Sequence, residues 1–108
     1  MLISSFSQVV GIGATVDVTK NIRGKVKINS IIVNAGDKLG LVECFLMWNQ
    51  KTNIIKALCE SPPIFYSYYV VQPVGIELED TDLTFRITNN DSSGLIVYIT
   101  LFGDKLEA

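Results

Sequence analysis

Signals for chain reversal fall every eight to twelve residues along this sequence, and no other feature restricts its fold as much. They stand at residues 21–24, 34–37, 49–53, 61–63, 79–82 and 89–94, each built around Asn, Asp, Gly, Ser or Pro. Between them lie runs of β-branched and aromatic residues at 25–28, 39–48, 54–59, 64–71, 82–88 and 95–102, with no competing helical period. Punctuation of this kind predicts an all-β chain, a two-layer antiparallel β-sandwich of jelly-roll type with about eight strands. No linker, repeat or shift of composition interrupts it, so residues 1–108 are expected to form a single domain. Residues 1–20, weakened as a strand by Gly11, Gly13 and Ala14, fit either an N-terminal arm or an edge strand.

The parity of each run says which faces are wet. In Asp82-Leu-Thr-Phe-Arg-Ile-Thr88, Leu83, Phe85 and Ile87 point one way and Asp82, Thr84, Arg86 and Thr88 the other, as in a strand with one solvated face. Two runs depart from this. Residues 95–102 are apolar on both parities except at Thr100, and 39–48 set Leu41, Phe45 and Met47 against Val42, Cys44, Leu46 and Trp48. A sandwich gives each sheet one interior face, so the second apolar face needs a cover, and another subunit is favoured over a loop or an arm. The candidate interface residues are Trp48, Leu95, Ile96, Val97, Tyr98, Ile99, Leu101 and Phe102. Composition agrees: 48% of the chain is hydrophobic and only 19% charged, a greasy balance for 108 residues with a high ratio of surface to volume.

A net charge of −2 supplies no basic field to neutralise phosphates, so no nucleic-acid partner is expected. No run approaches the roughly 18 apolar residues of a spanning helix, and the opening Met-Leu-Ile-Ser-Ser-Phe-Ser-Gln lacks the positive segment of a signal peptide. The chain is expected to avoid membranes and to stay in a reducing compartment, where Cys44 and Cys59 default to buried thiols. A hairpin turning at Lys51-Thr52 would oppose positions summing to 103, Cys44 to Cys59 and Glu43 to Glu60. A cross-strand disulfide is thus open as the alternative.

Chemistry finds little footing. The sequence has no histidine, which removes the usual general base and the commonest transition-metal ligand. Cys44 and Cys59 can neither close a zinc site alone nor act as a Cys-x-x-Cys redox pair. Gly11-Ile-Gly13 opens like a dinucleotide fingerprint but has no third glycine or following helix. Glu77, Glu79, Asp80 and Asp82 could approach a calcium ion, yet a solvated acidic loop is the plainer reading. Lys20, Arg23, Lys25 and Lys27 form a small basic patch, solvated or paired with that acidic loop across a subunit boundary. Trp48, Tyr66, Tyr68 and Tyr69 would suit stacking on sugar rings if a groove exposed them, although strand aromatics more often pack inside. Asn90-Asp-Ser92 is formally a glycosylation acceptor, and otherwise a polar turn. No enzymatic activity and no cofactor are expected.

The stretch Ile76-Glu-Leu-Glu-Asp-Thr-Asp-Leu-Thr-Phe-Arg-Ile-Thr-Asn-Asn-Asp-Ser-Ser-Gly-Leu-Ile-Val-Tyr-Ile-Thr-Leu-Phe102 resembles the small jelly-roll virion proteins of tailed bacteriophages. The shared pattern is an acidic turn, an alternating strand, a small polar turn and an apolar final strand. It extends through Val26-Lys-Ile-Asn-Ser-Ile-Ile-Val33 and residues 41–48, about three quarters of the chain. The resemblance implies a virion component made in the host cytoplasm, usually a homotrimer packed through sandwich faces, acting as a capsid cement or decoration protein on a major capsid or tail protein. Its other implication is a carbohydrate-binding or receptor-binding module of a phage tail or fibre.

Overall fold

The computed structural model describes residues 1–35, 42–49, 53–59 and 69–106. Among them are six antiparallel strands and no helix: β1 (Leu2–Val10), β2 (Thr15–Asn34), β3 (Val42–Asn49), β4 (Asn53–Cys59), β5 (Tyr69–Asn89) and β6 (Leu95–Lys105). They hydrogen-bond in the order β1-β6-β2-β5-β3-β4. Of residues 1–20, weighed as arm or edge strand, 2–10 are a strand at one end of that order and 15–20 begin β2. The expected turns at 34–37, 49–53 and 61–63 lie partly or wholly outside the described residues, as do the starts of the runs at 39–48 and 64–71.

Two of the predicted turns are not turns. The signals at 21–24 and 79–82 face each other within one ribbon, where the β2–β5 register slips between Ile22↔Thr81 and Lys25↔Glu79. Gly24 has φ 75 and Asp80 φ 45, and the Gly24 amide donates to Asp80 Oδ1 at 2.8 Å. Both strands break at the same rung, so the ladder resumes beyond it and the ribbon bends instead of reversing. A second slip, between Ile28 and Ser30, sits opposite Gly75 with φ 59. Bulges thus convert turn chemistry into two strands of 20 and 21 residues.

Each long strand changes neighbours at the bend. Among the described residues, 26–34 of β2 lie between β5 and β6, whereas 15–22 pair with β5 alone. Residues 83–89 of β5 lie between β2 and β3, whereas among the described residues 69–79 pair with β2 alone. Although two strands separate β1 from β5 in the order, the rings of Phe6 and Phe85 meet at 5.3 Å between centroids, tilted by 58°. The sheet therefore curls until its apolar face closes on itself. Ile28, Ile31, Val33, Val42, Leu46, Leu83, Phe85, Ile87, Val97, Ile99 and Leu101 share this one interior, all fully buried. Burying a side chain such as Phe85 contributes on the order of 1.5–3 kcal/mol.

Two residues fix how the curl closes. At Gly103 an added Cβ would stand 1.8 Å from the Lys27 carbonyl oxygen, so only glycine lets β6 cross β2 there. Asn89, fully buried, donates from Nδ2 to the carbonyls of Val10, Gly11 and Ser93 at 3.1, 3.2 and 2.9 Å, and its Oδ1 accepts from the Asp91 amide. It ties the 11–14 turn to the 90–94 turn. In the first of these, where the Ala14 amide donates to the Gly11 carbonyl, Gly13 takes φ 67. Gly11 and Gly13 thus serve a β-turn.

The β3–β4 hairpin opposes Cys44 to Cys59 as expected. A bulge after Cys44 moves the rest of the hairpin by one position, to Phe45↔Ala57 and Trp48↔Ile54. Cys44 is fully buried, and the side chain of Cys59 lies outside the described residues. Glu60 lies outside the described residues.

Candidate functional site

The curl leaves two outer surfaces, and alternation along the strands decides what each carries. On the surface formed by β1, β6, the end of β2 and the start of β5, the rungs can be followed across the sheet. Val9 stands beside Ile96, and Ser7 beside Tyr98 and Asn34. Ser5 shares a rung with Thr100, Ile32 and Val71, and Leu2 with Phe102, Ser30 and Pro73. None of these residues can carry a charge at neutral pH. Leu2, Val9, Val71, Ile96 and Tyr98 are 57, 65, 49, 48 and 52% exposed. Neighbouring apolar side chains at that exposure form a patch, unlike the scattered single hydrophobes of an ordinary surface. Among the described residues, charge returns at the next rung, where Lys27 stands between Asp104 and Glu77.

The other outer surface, over residues 15–22 of β2 and 81–89 of β5, is a polar ladder. Thr15 and Thr88 hydroxyls meet at 2.9 Å, and those of Thr19 and Thr84 at 3.0 Å. Arg86 donates from Nε and Nη2 to the two carboxylate oxygens of Asp17, at 2.9 and 3.0 Å. The Asn21 amide donates to Asp82. The hydrogen bond from Arg86 holds the Asp17 carboxyl below the usual carboxylate range, opposed by desolvation and helped by the charge of Arg86, and Arg86 is pushed up in turn.

This geometry sorts the candidate interface residues. Ile96 and Tyr98 face outward at the middle of the uncharged surface, with the partly buried Phe102 two rungs beyond Tyr98. Leu95, Val97, Ile99 and Leu101, offered for the same interface, instead point inward at 6% exposure or less, because alternation turns every second residue of β6 into the core. Trp48 is partly buried against the core cluster, on the parity of Val42, Cys44 and Leu46. Tyr66 and Tyr68 lie outside the described residues, and Tyr69 is described only as a backbone position opposite Asn34.

The acidic and basic groups, suggested as partners across a subunit boundary, are neighbours in one chain. Lys25 pairs in register with Glu79 and Lys27 with Glu77, on adjacent strands. No group of His, Cys, Asp and Glu able to hold a metal ion occurs among the described residues, and no helix of theirs is long and apolar enough to cross a membrane. The residues missing from the sequence expectation are Leu2, Val9, Ile32 and Val71. For Leu2 and Val9 the signal is the absence of any charge in residues 1–16, an apolar stretch that serines interrupt; Ile32 and Val71 carry no comparable local signal.

The fold and site together define an all-β chain with an uncharged outer surface around Ile96 and Tyr98. No protein-family model and no curated protein matches the sequence. Among solved structures, the VP2 subviral particle of infectious bursal disease virus is similar at a TM-score of 0.50 and 11% identity, covering 95% of this chain and 32% of that one. The Drosophila NLP core gives a TM-score of 0.46 at 15% identity, covering 94% and 99% of the two chains. An exo-β-1,3-galactanase from Phanerochaete chrysosporium gives 0.43 at 10% identity, over 92% of this chain. The chain spans about a third of the length of the viral protein chains it matches. At these identities the likeness is one of fold.

Proposed function

We propose that this chain is a non-enzymatic structural protein of a virus particle, a capsid cement or decoration protein that works through contacts with copies of itself and with the particle's lattice. Its architecture in this reading is a two-layer jelly roll. Split at their bulges, β2 and β5 each supply two segments, so that β1, β6, residues 26–34 and residues 69–79 form one four-stranded layer. Residues 15–22, residues 81–89, β3 and β4 form the other. The change of neighbours along β2 and β5 and the Phe6–Phe85 contact support this reading of eight segments in two layers.

The observation that carries the functional reading is the uncharged outer surface around Ile96 and Tyr98. Depletion of charge with exposed aromatic and aliphatic groups is what distinguishes the centre of a protein interface from ordinary surface. A sugar-binding module would need exposed rings flanked by polar groups, and Trp48 is partly buried, packed against the core cluster. The resemblance to small virion proteins supplies the setting.

Light scattering after size exclusion, across concentration and salt, tests this. The expected result is a mass that rises with concentration to a multiple of 11.9 kDa and resists salt, since an uncharged contact is little screened. A mass of one chain at every concentration, together with a positive glycan array, would overturn it.

A further inference from the structure

Four strand edges border the sheet's described residues, and two of those other than β1 carry visible guards. Residues 15–22 of β2 carry Asp17 and Lys20, and residues 69–79 of β5 carry Pro73, Glu77 and Glu79. Charge and proline are the usual means of stopping an edge from pairing with another chain. β1, Leu-Ile-Ser-Ser-Phe-Ser-Gln-Val-Val, has neither over nine residues. Among the described residues it pairs with β6 on one side and with no strand on the other. Near its end, Gln8 Nε2 folds onto the Val9 carbonyl at 2.9 Å, a side chain occupying an acceptor that a strand would otherwise take.

We propose that β1 pairs antiparallel with β1 of a second copy, joining two sheets across a two-fold axis near Ser7. The inference rests on the self-assembly reading and names its first contact. A second copy is the occupant because an antiparallel strand is complementary to itself in backbone donors and acceptors. A strand without charge also meets its own copy with no like-charge cost. The contact is continuous with the uncharged outer surface, since Ser5, Ser7 and Val9 lie on both. Serines opposite larger residues leave room for the neighbour's side chains. A two-fold contact gives two chains, so it replaces three as the expected first assembly.

The test combines solution mass with amide hydrogen exchange on wild type, Ser7→Lys, Tyr98→Lys and, as a charge-matched control, Ser92→Lys in the exposed 90–94 turn. Wild type and Ser92→Lys are expected at the mass of two chains, with β1 amides slowing as concentration rises. Ser7→Lys, which sets ammonium groups against each other beside the axis, should weaken the dimer tenfold or more while its circular dichroism stays native. Association that survives Ser7→Lys but fails in Tyr98→Lys, with β1 exchange independent of concentration, overturns edge pairing and leaves assembly through the sheet face. A three-chain mass overturns it likewise. A single-chain mass for wild type at every concentration overturns edge pairing and self-assembly together.

Discussion

The two outer surfaces of this sheet are built from the same ribbon, β2 with β5, yet they end up chemically opposite. Before the bend the β2 segment shows solvent Thr15, Asp17, Thr19 and Asn21, each engaged with the strand beside it. After the bend it shows Ser30, Ile32 and Asn34, flanked by the apolar outer residues of β6 and β5. The first surface satisfies its polar groups internally and has little to offer another molecule. The second leaves apolar area in water, a cost that only a partner removes. One interior serves both, so the difference arises from which strands flank the ribbon and not from separate cores.

The interior is the place to break this shared arrangement, and Phe85→Ala should have the largest effect. Phe85 is fully buried and meets Phe6 from the far end of the strand order. Its removal should cost about 3–5 kcal/mol, the usual range for an aromatic ring lost from a core. If the two surfaces share one core, Trp48 fluorescence and the exchange of β6 amides will report a single earlier transition in urea. Two separate transitions would mean that the halves are independent.

Asn89→Ala comes next. The variant leaves the carbonyls of Val10, Gly11 and Ser93 without the amide that serves all three, in a site with no exposure. The expected loss is about 1–3 kcal/mol. It should appear in exchange experiments as faster opening of the 11–14 and 90–94 turns, ahead of the bend at Gly24 and Asp80. Equal acceleration at the bend would show that Asn89 acts through the general packing of the core.

The contrast between the surfaces explains what could be foreseen from sequence. Strict alternation at 82–88 gave its faces directly, because a half-buried strand has only one way to hide Leu83, Phe85 and Ile87. At 95–102 both parities are apolar, so parity could not say whether Leu95 or Ile96 faces the core. That choice is made by pairing with Ile31 and Val33, far away in sequence. The turn chemistry at 21–24 and 79–82 was visible, but its outcome was not. Whether such a signal reverses a chain or bends it depends on a second signal at the same rung of the partner strand. Glycine at 103 is likewise intelligible only once Lys27 lies against it.

A smaller effect sharpens the comparison from the surface itself. Thr19→Ala removes the hydroxyl that meets Thr84 at 3.0 Å and should cost about 0.2–1 kcal/mol with no change in solution mass. Ile96→Thr, on the uncharged surface, should do the reverse. Stability of the single chain should shift by no more than about 0.5 kcal/mol, as is usual for surface positions, while association weakens. Paired urea titrations and light scattering on the two variants decide the matter. Equal effects on mass would erase the distinction between the surfaces.

The smallest expected effect belongs to the Asp17–Arg86 pair, and pH isolates it. Arg86 grips both oxygens of the Asp17 carboxylate, so the carboxyl of the folded chain titrates below its ordinary value of 3.8. A carboxyl depressed on folding contributes stability that is fully present above its unfolded value. That contribution is lost as pH falls through the folded one. The melting temperatures of wild type and Asp17→Asn should therefore differ by a small constant amount from neutrality down to about pH 5, then converge as the medium becomes more acidic. Both groups are about half exposed, so added salt should shrink the plateau without moving the pH at which convergence begins. A gap that widens on acidification would mean that Asp17 is held protonated in the folded chain. The polar surface would then lack the internal pairing that separates it from the uncharged one.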